Sequence, residues 1–245
     1  MLSKEALANS LVTIRLDCFH RNVQRIQNYL GPHVELMYTV KSGGYGHGLK
    51  EMAAYAVQRC GIRKLATATI SEAVELRQDG YSGYLMVLGG IPSTAFAAIP
   101  ELDLVTGCYN VSLARELNRF AEHAGKNVEI HIKLDTGMHR LGVAPGEELQ
   151  QLLDVLKTLP FLHVNGVYSH LANADEADCA VTNKQLDLFD QGVAQVRENG
   201  FNPLWLHTAG SDAIITSARC HYNMVRPAAI LYGYDTAEGE FNRLG

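Results

Sequence analysis

The 245-residue chain has no C-x-x-C pair, no surplus of basic charge and no uninterrupted apolar run long enough to span a bilayer. Its five cysteines, Cys18, Cys60, Cys108, Cys179 and Cys220, are odd in number and widely scattered. That argues against a disulfide framework and a zinc site, and it fits a reducing, cytoplasmic setting in which no metal is expected. Lys and Arg total 21 against 26 Asp and Glu, a net charge of -5 with no basic stripe, so no nucleic acid partner is expected. The N-terminus, MLSKEALANSLVTI, lacks the charged-then-apolar order of a secretory signal. The longest apolar stretch, residues 84–100, is broken by Gly89, Gly90 and Pro92 and reads as strand, loop and helix, so no membrane segment is expected. There is also no repeat of fixed period and no low-complexity tract.

What the chain does have is alternation. After an opening strand, LVTIRLD (residues 11–17), short β-rich runs take turns with helix-period stretches. The strands read as VELMYTVK, KLATATI, YLMVLG, DLVTG, EIHIKLD, LHVNGVYSHL, PLWLHTA and YNMVRP. Among the helices between them are SLARELNRFAEHAG, GEELQQLLDVLKTL and NKQLDLFDQGVAQVRENG, the first and last closing on a C-cap glycine. Hydrophobic residues at 47% suffice for a large core. Eight strand–helix units in a chain of this length predict an α/β fold, a closed (β/α)8 TIM barrel, with an open doubly wound sheet as the alternative.

In a barrel, function gathers where the strands end, and polar residues accumulate there in this chain. Lys41 follows the apolar run 34–40 and opens a turn with Gly43, Gly44, Gly46 and Gly48, in which Tyr45 and His47 offer polar groups to an anion. No P-loop or dinucleotide fingerprint is present there. Lys133 lies in the fifth strand, followed by Asp135 and Arg140. The sixth reaches Tyr168, Ser169 and His170, then Asn173 and Asp175. The seventh gives His207, then Gly210 and Ser211 opening a short helix, and the eighth gives Arg226, Ala228 and Ala229. Each has a plainer reading: an exposed lysine in a flexible turn, the solvent face of a strand for Lys133, structural histidines, surface ion-pair arginines. Together they match what a phosphate-bearing carbonyl cofactor needs, an amine to bond the carbonyl, amides and hydroxyls for the phosphate and a partner for a ring nitrogen.

At these residues the chain resembles a known family. VKSGGYGHG is similar to the pyridoxal-phosphate lysine motif of bacterial alanine racemases, and KLDTGMHRLGV, YSHLANADE, HTAGSDA and MVRPAAILYG resemble further motifs of that family in the same order. The resemblance implies an N-terminal segment (1–10), a barrel binding pyridoxal 5′-phosphate (11–236) and the start of a linker (237–245). The C-terminal β-domain that completes the site across a homodimer is expected but absent from this chain. Lys41 would hold the cofactor covalently and act as base on the D-side of the α-carbon. Tyr45, Ser211 and the backbone at Ala228 and Ala229 would hold the phosphate. Arg226 would meet the ring nitrogen, braced by His207, with His170 beside the cofactor. Arg140 would orient the substrate carboxylate, and Lys133 resembles a lysine that some members carbamylate.

The activity so implied is racemisation of L- and D-alanine, supplying D-alanine for peptidoglycan precursors, with this chain by itself of low activity for want of the second base. The alternatives are a serine or other small amino-acid racemase domain, or a non-catalytic protein that binds pyridoxal phosphate. The chain departs from the family pattern at Ser42, Gly43 and Gly44 after the lysine, at His139 in place of glycine, and at Gly210 in place of asparagine.

Overall fold

The structure, a computed structural model, describes residues 11–176 and 179–234. Residues 1–10 and 237–245, the two flanking segments expected from the sequence, lie outside the described residues. Eight parallel strands form one sheet: β1 (Glu35–Thr39), β2 (Lys64–Thr67), β3 (Tyr84–Val87), β4 (Val105–Cys108), β5 (Val128–Lys133), β6 (Leu162–Tyr168), β7 (Trp205–His207) and β8 (Met224–Val225). Their order is β7-β6-β5-β4-β3-β2-β1-β8, so that β7 and β8 face each other across a seam. No ladder joins these two among the described residues. Instead the Asn223 side chain accepts from the Leu206 N–H at 2.8 Å and donates to the Leu204 carbonyl at 2.6 Å, and the Arg226 N–H donates to Ala209 O at 2.9 Å. The closed (β/α)8 barrel is therefore the architecture, and each predicted strand from VELMYTVK onward supplies one of its staves.

Strand alternation sorts the core into two shells. Outward-facing Leu36, Tyr38, Leu65, Leu85, Val87, Ile130, Ile132, Val167 and Val225 pack against the helices. Met37, Ala66, Met86, Val105, Tyr168 and Met224 fill the barrel interior. The helices that cover the outside carry their expected signals. In α6 (Val111–Ala124), Asn110 Oδ1 accepts from the Leu113 N–H, Leu117 and Ala121 are buried, and Gly125 at φ 62° ends the helix. In α4 (Ile70–Gln78), Thr69 and Glu72 form a reciprocal capping box. Helix α7 (Glu147–Leu156) and helix α8 (Ala180–Glu198) fall where the periodicity predicted them.

The opening strand does not form. Residues 11–15 are irregular, with Leu11 and Val12 exposed, and helix α1 begins at Leu16 and runs to Leu30, burying Phe19, Val23 and Ile26 on one face. Both edges of β1 are already taken, by β2 and β8, so the run cannot pair beside it. One irregularity matters for the site. Register slips between Ile130 and His131, which pair with Val164 and Gly166, so Asn165 is the extra residue of a bulge in β6. A Cβ at Gly166 would press into the His131 ring. Gly166→Ala is therefore expected to destabilise the fold by about 1–3 kcal/mol through overpacking, measured as a lowered urea midpoint at unchanged m-value. A midpoint equal to that of the unsubstituted protein would contradict this packing.

Candidate active site

The interior faces of several strands reach polar residues at the C-terminal rim. Met37, Thr39 and Lys41 follow one another along β1 and its extension, Glu129, His131 and Lys133 along β5, and Met224 and Arg226 along β8. They meet at a cavity of about 580 Å³ lined by Thr39, Lys41, Tyr45, Ala68, Leu88, Gly89, Lys133, Arg140, Leu141, Tyr168, His170, Gly210, Ser211, Asp212, Arg226, Ala228 and Ala229. A depression of similar size, about 600 Å³, lies outside between α3 (Leu49–Cys60) and α4, where Lys50 already pairs with Glu75 and Asp79. Only the rim cavity brings together the residues singled out by sequence. Asn173 and Asp175 do not line it, nor does His47, whose ring lies on Tyr232 with centroids 4.8 Å apart.

Lys41 is placed by an unusual turn. Ser42, Gly43, Gly44 and Tyr45, element α2 (Ser42–Tyr45), all have φ between 54° and 64°, a single turn wound left-handed, and Gly46 continues it at 81°. Left-handed winding costs non-glycine residues roughly 1–2 kcal/mol each. Ser42 and Tyr45 bear that cost, while Gly43 and Gly44 avoid it. The turn is tied down by Glu72: the Ser42 N–H donates to its Oε1 at 2.6 Å, and the Ala68 and Thr69 N–H groups donate to its Oε2, both at 3.1 Å. One carboxylate thus caps α4 and anchors the lysine turn. His139, where the family pattern has glycine, is likewise left-handed at φ 51°, its N–H held by Asp135 Oδ1 at 3.1 Å. The segment returns to β5 through the Val143 N–H, which donates to Lys133 O at 2.9 Å, and so carries Arg140 over the mouth.

Arg226 is the buried cation of the site. Its Nη1 donates to His207 Nδ1 at 2.8 Å and His207 O at 2.9 Å, and its Nη2 to Ser169 O at 2.7 Å and Thr208 O at 2.9 Å. Its Nε has no hydrogen-bond partner among the described residues, although the side chain lines the cavity. Burial lowers its pKa to about 10, which leaves it charged at neutral pH. Lys133 is not on a solvent face: it is 5% exposed, with Nζ 4.5 Å from the Tyr168 ring centroid. Burial, then Arg226 and Arg140, lower its pKa to about 7. His170 is pushed down to about 3 by burial and the same cations, and His207 falls well below its usual value, so both rings are neutral.

At the other end of the cavity, Ser211 Oγ accepts from the Ala228 N–H at 3.1 Å and the Ile230 N–H at 3.3 Å, which leaves its proton free to donate. The Ala229 N–H has no partner among the described residues. Thr39 Oγ1, also at the cavity, is buried without a partner among the described residues. Sequence reasoning missed Glu72, Thr39 and the interior residues Tyr84, Glu129 and His131. The alternation in EIHIK, which puts Glu129, His131 and Lys133 on one face, was the available signal.

A lysine, a donor arginine and a hydroxyl–amide cluster thus converge at the mouth of a parallel barrel, the end where such folds carry their functional groups. Comparison with known proteins identifies the family. Residues 14–236 match the family profile described as alanine racemase, N-terminal domain. The chain is 34% identical over 225 residues to an alanine racemase of Methanococcus maripaludis, covering 92% of this chain and 60% of that protein. Its structure resembles alanine racemase from Clostridium difficile 630, with TM-score 0.90, 30% identity, and coverage of 94% of this chain and 63% of that one. It also resembles the Bacillus anthracis alanine racemase with bound L-Ala-P, with TM-score 0.85, 31% identity, and coverage of 91% and 57%. The chain belongs to the alanine racemase N-terminal domain family, and it spans about 60% of the length of the curated relatives it matches.

Lys133 generates a prediction of its own. Its pKa falls from 10.5 to about 7 on folding, so between those values the unfolded chain binds more protons than the folded one and stability rises with pH. Lys133→Met removes this slope. The variant's stability gain over the unsubstituted protein is expected to be largest below about pH 7 and to shrink towards pH 10, as read by urea unfolding at several pH values. A pH-independent difference would show that Lys133 is not buried as a cation.

Proposed function

We propose that this chain is the cofactor-binding barrel of a pyridoxal 5′-phosphate-dependent alanine racemase. The observation that carries the reading is Arg226, a buried guanidinium with both Nη groups committed and Nε left over at a cavity that also holds Lys41 and Ser211. The residues fit the cofactor. Arg226 offers a donor to a ring nitrogen, Ser211, Tyr45 and the Ala229 amide offer donors to a phosphate, and Lys41 offers an amine to the carbonyl. The partnerless Thr39 hydroxyl is a buried donor that such a group would satisfy. When bound, the cofactor supplies an electron-withdrawing ring that acidifies the substrate's α-C–H bond.

The course of the reaction is set by the chain's own residues. Arginine donates and does not accept, so Arg226 Nε would meet the ring nitrogen as a donor and leave it unprotonated, and the bound group would then supply the moderated electron withdrawal that favours return of the proton to the α-carbon over transamination. Lys41 Nζ holds the cofactor and exchanges the α-proton on the face it occupies. Arg140, whose guanidinium makes no ion pair among the described residues, binds the substrate carboxylate. His170 stays neutral beside the cofactor, and His207 braces Arg226. The Lys133 amine, neutral in part at pH 7, is in the form that adds carbon dioxide with release of one proton to solvent, and the resulting carbamate anion would be attracted by Arg140 and Arg226. The base for the opposite face belongs to the C-terminal domain of a second subunit in a homodimer, and a role in D-alanine supply for peptidoglycan is part of the same reading.

Labelling and kinetics test the assignment. Borohydride treatment of the protein with pyridoxal phosphate is expected to fix the cofactor on Lys41, read by peptide mass spectrometry. Label on another lysine, or on none, would overturn the assignment. In the full-length protein, Arg140→Ala is expected to lower kcat/KM for alanine by about 10- to 100-fold through loss of a charge-assisted contact worth roughly 1.5–3 kcal/mol. A polypeptide limited to residues 1–245 is expected to bind the cofactor yet racemise alanine at least about 100-fold more slowly than the full-length protein, because one positioned base is missing. Serine tested alongside alanine sets the substrate preference.

A further inference from the structure

Beneath the rim, Arg226 is the start of a hydrogen-bonded chain that crosses the barrel interior. Its Nη1 donates to His207 Nδ1 at 2.8 Å, and His207 Nε2 lies 2.8 Å from His131 Nδ1. His131 Nε2 lies 2.9 Å from the Tyr84 hydroxyl and 3.5 Å from Glu129 Oε1, and the Tyr84 hydroxyl donates to Glu129 Oε1 at 3.0 Å. Both imidazoles are fully buried. Only one arrangement of protons fits neutral rings. A guanidinium has no acceptor, so His207 Nδ1 must accept and its proton must sit on Nε2. His131 Nδ1 must then accept, which puts its proton on Nε2, facing Tyr84 and the carboxylate.

Burial lowers the pKa of both rings. Glu129 is held below its usual value, although its burial acts the other way, by donors from His131, Asn165 and Tyr84. The packing around the chain is shaped to hold it. Tyr168 stacks on His207 with centroids 4.9 Å apart and planes 5° apart, and Gly166, placed by the β6 bulge, leaves room for the His131 ring. At the bottom of the barrel Lys64 Nζ sits 4.6 Å over the Tyr84 ring.

We infer that Glu129, His131 and Tyr84 are positioning residues for the racemase reaction: the chain they complete holds His207 in the Nδ1-accepting tautomer and thereby fixes Arg226 with its Nε towards the ring-nitrogen position. This rests on the cofactor reading above. None of the three lines the cavity, so they act through Arg226 and not on substrate. A donor conflict along the chain weakens the His207–Arg226 contact, and Arg226 is the member that lines the cavity.

The test uses the full-length protein, Glu129→Gln and His131→Phe. Glutamine's amide group presents N–H donors to His131 Nε2 and so favours the opposite tautomer, while phenylalanine leaves the His207 Nε2–H without an acceptor. Long-range ¹H–¹⁵N spectra of histidine-labelled protein are expected to show His131 and His207 both protonated at Nε2 and unprotonated at Nδ1 from about pH 6 to about pH 9. Both variants are expected to keep borohydride-fixed cofactor on Lys41, to change its visible absorbance band, and to lose about 10- to 100-fold in kcat for alanine, as supporting partners behind a site typically do. KM should stay within about threefold, because Arg140 still binds the carboxylate.

A labelled Lys41 with kcat and band unmoved in Glu129→Gln overturns the relay alone, and so does an Nδ1-protonated His131 or His207 in the unsubstituted protein. An unlabelled Lys41 in the unsubstituted protein overturns the cofactor reading and the relay's use with it. Glu129→Gln leaves the ring packing intact, so it decides the question even if His131→Phe does not fold.

Discussion

A single buried guanidinium holds this fold and its site in one arrangement. Arg226 enters from β8 at the seam where no ladder joins β8 to β7, and its Nη groups take up the carbonyls of Ser169, His207 and Thr208 at the ends of β6 and β7. Without it, the Ser169 and Thr208 carbonyls and an imidazole nitrogen would be left buried without donors, at about 1–3 kcal/mol for each unsatisfied group, while His207 O would keep only the Ser169 N–H. Because every Nη donor seen is spent on the scaffold, the guanidinium plane cannot turn, and the direction of its remaining N–H is set by backbone geometry. Seam closure and site geometry are thus the same constraint.

The electrostatics of the mouth follow from crowding cations into a barrel. Lys133, Arg140 and Arg226 surround the cavity, and their mutual repulsion, added to burial, keeps His170 and His207 neutral and brings Lys133 to the edge of deprotonation near neutral pH. Such a concentration of cations favours anionic groups at the mouth. The left-handed turn after Lys41 serves the same end. It costs conformational energy at Ser42 and Tyr45, and the Glu72 carboxylate offsets that cost by taking the Ser42 amide while capping α4.

Much of this was legible from residue order. The run VELMYTV followed by Lys41, and the alternation of strand and helix units after it, carry enough local signal to specify a parallel barrel, because β-rich runs bounded by turn residues and helices with a 3.6-residue apolar period leave few other topologies. The convergence of Lys41, Tyr45, Arg140, Ser211 and Arg226 followed from placing strand ends on one rim. Misread were features whose meaning depends on neighbours in space. Leu11 to Asp17 has strand propensity, but β1 is already paired on both sides, and the segment is irregular and then helical. Lys133, by contrast, was placed among the candidate site residues with a solvent face as the plainer reading, and closure of the barrel puts it inside.

What the sequence determined by itself is therefore the periodic pattern, and with it the fold class and the chemical inventory at the strand ends, since these depend on interactions between residues near one another along the chain. Tertiary structure alone decided which polar groups are spent and which are left over. That Arg226 retains one uncommitted donor, that His47 turns onto Tyr232 and away from the cavity, and that Glu129, Tyr84, His131 and His207 join into one chain depend on contacts between residues distant in the chain, such as Arg226 and His207, 19 positions apart, and His131 and His207, 76 apart. The physical reason is that a hydrogen bond depends on distance and angle in space, and for residues so far apart along the chain only closure of the barrel sets either.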